Sequence, residues 1–195
     1  GNVNTYDAAV VCLGGMIDIN ANLVCNNAHT SAAGGYVTGG GGINVAYNST
    51  GPVDSTFYTV RNNIVANNYS PYHGGGINVM NARAVIANNQ VINNKSADGG
   101  GIYIATNFPL TVKNNIFYGN VTEPDVDALH SPALAGMANS DLMYEYNWSQ
   151  HSTLFDLDLG TSYTMTGDTT MDITGGDPML VAPTLTADVT ESALT

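Results

Sequence analysis

Two phrases recur through this chain, interleaved at a nearly constant period. The first is a glycine triplet followed by Ile43-Asn44-Val45, by Ile77-Asn78-Val79 and by Ile102-Tyr103-Ile104. The second sets an apolar residue three positions ahead of an Asn: Val24 before Asn27, Val65 before Asn68, Val91 before Asn94, Phe117 before Asn120. Asn68, Asn94 and Asn120 follow one another at intervals of 26 residues. A fixed period of this size marks a solenoid, in which each repeat is one coil and stacks only on its neighbours.

Aligning the phrases predicts the walls of the coil. Ile19, Val60, Ile86 and Val112 fall on one face by period-2 alternation, and Asn20, Arg61, Ala87 and Lys113 on the other. Strands this short cannot bury themselves alone, so they must stack into parallel sheets around an aliphatic core. The reading is an all-β solenoid of about 25–26 residues per coil, with three short strands in each. Asn and Gly punctuate the coil because its corners need positive φ or close backbone approach. In the first coil, Ala9-Val10-Val11 is set in the slot of Ile77-Asn78-Val79, which turns Cys12 outward.

One domain over 1–195 is expected. Residues 1–120 hold the regular coils, with loop insertions at Ala28–Thr38 and Ala46–Phe57. These insertions are the natural carriers of specific binding. Residues 121–195 read as irregular final coils, with strands near Leu142–Trp148, Thr153–Leu159, Tyr163–Thr166 and Thr170–Thr174. A Gly-Gly-Asp-Pro turn at 175–178 and a tail from Pro183 follow, and neither end carries a recognisable cap.

Charge follows the same division. Residues 1–120 contain four acids and four bases, whereas 121–195 contain twelve acids and no base, which makes up the net charge of −12. Such a surface disfavours nucleic acid and anionic membranes, which need clustered Lys and Arg. It permits a divalent cation, Ca²⁺, at the acidic third. No apolar run reaches the ~20 residues of a membrane span. Gly1 in place of Met is what removal of a signal peptide would leave, so a secreted, extracellular or cell-surface location is expected.

The Gly75-Gly76-Ile77 and Phe117…Asn120 phrases resemble those of the right-handed parallel β-helix superfamily, the pectate-lyase-like fold. They are most similar to secreted surface and adhesin-type proteins. Gly176-Asp177-Pro178-Met179-Leu180 is similar to the closing segment of β-helix surface proteins. The resemblance implies a right-handed parallel β-helix. For function it implies either an extracellular structural or adhesive protein, or a polysaccharide lyase, glycoside hydrolase or carbohydrate-binding module. Of these, the structural or adhesive reading, with self-association through the solenoid ends, is preferred.

The candidate residues are mostly structural. Asn22, Asn63, Asn89 and Asn115 form one column, and Asn27, Asn68, Asn94 and Asn120 a second. Stacked amides there can hydrogen-bond along the rod. Sequons fall at Asn48, Asn68, Asn94, Asn120 and Asn147. Asn48, in an inserted loop, is the glycosylation candidate. Cys12 and Cys25 leave two readings open: a bridge stapling the first coil, or free or intermolecular thiols. Arg61 and Lys113 share a column, but no acids are expected beside them. Asp156 and Asp158 share a strand face, as a carboxylate pair would. Tyr69, Tyr72, Tyr103 and Tyr118 are a candidate sugar-stacking surface. His29, His73, His130 and His151 lack metal-ligand spacing, so no catalytic, cofactor or metal residue is assigned.

Overall fold

The computed structural model describes residues 3–4, 8–30, 39–47, 56–106, 108–122, 129–131, 140–145, 147–149, 156–157, 163–166 and 173–174. After β1 (Val3–Asn4), the first coil comprises β2 (Val10–Leu13), β3 (Met16–Asn20), β4 (Leu23–Cys25) and β5 (Ala28–His29). The second comprises β6 (Ile43–Ala46), β7 (Phe57–Arg61), β8 (Ile64–Ala66) and β9 (Tyr69–His73). The third is β10 (Ile77–Met80), β11 (Ala84–Ala87), β12 (Gln90–Ile92) and β13 (Lys95–Asp98). The fourth is β14 (Ile102–Ala105), β15 (Leu110–Lys113), β16 (Ile116–Tyr118) and β17 (Val121–Thr122). A fifth holds β18 (Leu129–Ser131), β19 (Ser140–Glu145) and β20 (Trp148–Ser149). A sixth holds β21 (Asp156–Leu157), β22 (Tyr163–Thr166) and β23 (Ile173–Thr174).

Every strand pairs in parallel with its counterpart one coil on. The sheets run β2-β6-β10-β14-β18-β21, β3-β7-β11-β15-β19-β22, β4-β8-β12-β16-β20-β23 and β1-β5-β9-β13-β17. The chain is a right-handed parallel β-helix. It has four strands per regular coil, not the three expected from sequence. The missed sheet is the last of these. Apart from Ala28, its described strands bury His29, Ser70 and Ser96, so no apolar alternation announces it. The Ala28–Thr38 and Ala46–Phe57 insertions lend their first residues to β5 and β6, and Phe57 to β7. Residues 31–38 and 48–55, the Gly-Gly-Asp-Pro turn and the tail lie outside the described residues.

One apolar cluster fills the tube. Ile43, Val45, Ile77, Val79, Ile102 and Ile104 come from one wall, Val60, Ile86 and Val112 from the second, and Val65, Val91 and Phe117 from the third. Tyr58 lies wholly inside. Its phenol donates to Ala46 O at 2.8 Å and accepts from Gly14 N at 2.5 Å, which ties the first corner to the second coil. Both bonds satisfy a hydroxyl that would otherwise be costly to bury. Burial pushes this phenol above its ordinary pKa, partly offset by the Gly14 hydrogen bond.

The glycine triplets each solve two problems. Gly74 and Gly99, at φ +59° and +61°, turn the corner in the left-handed region. The next positions lie against the neighbouring coil: a Cβ on Gly76 would sit 2.6 Å from Gly101 O and 2.9 Å from both Asn94 Nδ2 and Val91 Cγ1. The two sequence phrases are therefore faces of one corner, and the triplet leaves room for the Asn that follows the apolar residue.

The first coil enters one residue later than the sequence reading placed it. Val10, Val11 and Cys12 pair with Ile43, Asn44 and Val45, so Cys12 turns inward and joins the core. A slip of one residue exchanges the two faces of a strand. Ile104 and Val112 are eight residues apart, a spacing that would place Val11 rather than Cys12 ahead of Ile19. Val79 to Ile86 and Cys12 to Ile19 are both seven, because the Pro109-containing corner carries one extra residue.

Candidate functional site

The two Asn columns are hydrogen-bonded ladders with a common direction. Asn63 donates from its backbone N and from Nδ2 to Asn89 Oδ1, both at 3.0 Å. Its Nδ2 also donates to Ile19 O in the preceding coil at 2.9 Å. Asn89 repeats this toward Asn115 Oδ1 and Val60 O, and Asn115 toward Asn147 Oδ1 and Ile86 O. The second ladder runs from Asn27 to Asn68, Asn94 and Asn120 in the same manner. Each interior amide thus links three coils and satisfies backbone groups that the corners would otherwise strand inside the wall.

Asn147 is a ladder residue that sequence reasoning missed. Its signal was present: Asn147 precedes the β20 strand as Asn115 precedes β16, and Trp148 pairs with Ile116. The positive-φ corners expected of Asn and Gly fall on the residue ahead of the ladder Asn. Asn26, Asn62, Asn67, Asn88, Asn93 and Asn114 have φ between 50° and 57°, Gly119 has φ 63°, and Ala21 has φ 57°. Asn and Gly adopt this conformation readily; Ala21 does so at a steric cost.

Four of the five sequons fall on these ladders. Asn68, Asn94, Asn120 and Asn147 are buried with their amides engaged, so they present no glycan acceptor in the folded chain. Asn48 lies outside the described residues. Cys12 and Cys25 are both free thiols and occupy different sheets. Burial raises the Cys12 pKa. Cys25 is half-buried and shares its register column with Ala66, Ile92 and Tyr118.

The outer face of the second wall corrects one expectation. Asp18 does gather beside Arg61: Arg61 Nη2 lies 2.7 Å from Asp18 Oδ2, and Nε donates to Oδ1 at 3.0 Å. The Arg61 hydrogen bond holds the Asp18 carboxyl below its ordinary pKa, and Asp18 in turn raises Arg61. The contact was missed because coils one and two are separated by 43 residues of sequence at this point, owing to the insertions. Arg61 is thereby held as an ion-pair partner. Lys113 stands two coils further along the same column, in register with Glu145.

On the first wall, the outward positions of coils two to four are buried. Ala46, Met80, Tyr103 and Ala105 form a second apolar cluster there. The Tyr103 ring stacks on His73 at a centroid distance of 4.1 Å, and Tyr72 lies 6.5 Å from His73 and 6.1 Å from His29. Of the four tyrosines expected to offer a sugar-stacking face, Tyr103 is therefore buried against His73. Tyr69 and Tyr72 share β9, whereas Tyr103 lies on β14 and Tyr118 on β16, in two other sheets. Beneath this cluster Asn78 Nδ2 donates to Asn44 Oδ1 at 2.9 Å, a third, two-rung ladder. It stops where Tyr103 replaces the amide, and the buried Asn78 Oδ1 accepts no hydrogen bond.

Among the described residues, no group of three or more His, Cys, Asp or Glu could hold a metal ion. None of them forms a helix long and apolar enough to cross a membrane. The side chains of His130 and Asp156 are not described, and His151 and Asp158, like most of the acidic third considered for Ca²⁺, lie outside the described residues. Comparison with family models, with curated proteins and with solved structures gives no match.

Proposed function

We propose that this chain is an extracellular structural or adhesive β-solenoid protein that associates through its ends, akin to the surface proteins of the pectate-lyase-like fold. The observation that carries this reading is how the polar side chains of the coils are employed. The ladder amides bond to the coils above and below, and Arg61 is held by Asp18. A body built this way is a spacer. Interaction is left to the inserted loops, the acidic third and the solenoid ends through which association is proposed.

Negative-stain electron microscopy of the purified chain tests the reading. Rods that join end to end as concentration rises support it; single short rods at every concentration contradict it. A panel of uronate and neutral polysaccharides, incubated with and without Ca²⁺, supplies the counter-test. Release of unsaturated or reducing sugars would replace the structural reading with an enzymatic one, and retention on a glycan array without turnover would make the chain a carbohydrate-binding module.

A further inference from the structure

The chemistry of the first wall changes along the rod. By register, one column of it runs Val11, Asn44, Asn78, Tyr103, His130 and Asp156, from β2 to β21. A second position flanks this column: the residue ahead of each glycine triplet, which is Gly39, His73 and Asp98 in turn. Asp98 is the register partner of His73. In two successive coils this flanking residue lies on the column residue of the coil that follows. A Cβ on Gly39 would sit 2.7 Å from Asn78 Nδ2. The His73 ring stacks on Tyr103 at a centroid distance of 4.1 Å. One coil further on, the same relation carries Asp98 to His130, and His130 is paired with Asp156. Backbone register thus brings one imidazole-bearing and two carboxylate-bearing residues to adjacent positions, on rungs about 4.8 Å apart. The placement rests on that register; the side chains of these three residues are not among those described.

We propose that this juxtaposition of Asp98, His130 and Asp156 is a site for a divalent transition-metal ion. Imidazole nitrogen with carboxylate oxygen is a donor set for Zn²⁺ and its first-row neighbours, whereas Ca²⁺ takes oxygen alone. Two carboxylates and a neutral imidazole balance the charge of the ion. The surrounding chain favours a cation, because residues 121–195 carry twelve acids and no base. The ion joins coil three to coils five and six, and so fastens the acidic coils to the body that the Asn ladders build. The site is independent of whether the ends of the rod associate.

Calorimetric titration of ZnCl₂ into the chelator-treated full chain tests the proposal, with Asp98→Asn, His130→Gln and Asp156→Asn alongside it. The parent is expected to bind a single Zn²⁺ saturably and to melt at a higher temperature with it, an increase that added chelator reverses. Each of the three substitutions should weaken binding tenfold or more and leave the circular dichroism of the metal-free chain unchanged. Asp18→Asn removes the same charge from the second wall and should bind as the parent does. A parent that binds no Zn²⁺, or whose melting temperature Zn²⁺ leaves unchanged, overturns the proposal before any variant is needed. Binding that survives all three substitutions, or that Asp18→Asn weakens equally, belongs to an ion held by diffuse acidity and overturns the site. Binding lost with His130→Gln and Asp156→Asn but intact with Asp98→Asn overturns the link to coil three.

Discussion

At the scale of single residues, position along the ladder decides the effect of losing an amide. Asn89→Ala would strand two donors of Asn63 and the carbonyl of Val60 inside the wall. The expected cost is about 3–5 kcal/mol in chemical denaturation. Asn22→Ala removes an exposed terminal rung, leaves one acceptor fewer to satisfy, and should cost about 1 kcal/mol. Ala21 is the reverse case. It holds φ 57° where the following coils use Asn, so Ala21→Asn should raise stability by about 1 kcal/mol. No change, or a loss, would show that this corner relaxes in solution. The Asp18–Arg61 pair has a defined pH signature. Because the folded Asp18 pKa is lowered, its contribution is present above the unfolded value near 4 and is lost as pH falls through the folded value. Asp18→Asn should therefore flatten the acid limb of the stability curve there and leave its neutral region nearly unchanged, since the pair is exposed.

At the scale of elements, the corner made by a glycine triplet and a ladder Asn is the unit of the fold. Gly76→Ala would press a methyl against Gly101 O and Val91. A loss of about 3 kcal/mol is expected in thermal or urea unfolding, because the opposing atom is backbone and cannot swing away. Much of this unit was legible in the sequence. The Ile77-Val79 and Val91…Asn94 phrases have periods and residue types that only stacked coils satisfy. The fourth strand of the coil was not legible, because Ser70 and Ser96 sit inside it and no apolar pattern marks them. The face of Cys12 was misread for a related reason: one extra residue near Pro109 shifts the template, and strand parity then inverts every side chain. Thiol labelling checks the corrected register. Cys25, on an outward position, should react with a disulfide reagent well before Cys12, which is buried in the core with a raised pKa. Equal rates would restore the outward register.

At the scale of the whole molecule, candidate-site chemistry was less legible than fold. The sequons illustrate why: Asn68, Asn94, Asn120 and Asn147 match a glycan acceptor pattern, but their amides hold the wall together. The pairing of Asp18 with Arg61 depends on which coils the insertions separate, and no local pattern encodes it. In the proposed reading the coils are a static scaffold whose polar side chains are committed to one another. Residue-resolved hydrogen exchange of the Asn side-chain amides tests this most directly. Nδ2–H groups of Asn63, Asn68, Asn89, Asn94 and Asn115 are predicted to exchange orders of magnitude more slowly than those of exposed Asn88 and Asn114, and to open only with global unfolding. Exchange of both sets at the same unprotected rate would contradict the ladders, and with them the reading of the rod as an inert spacer.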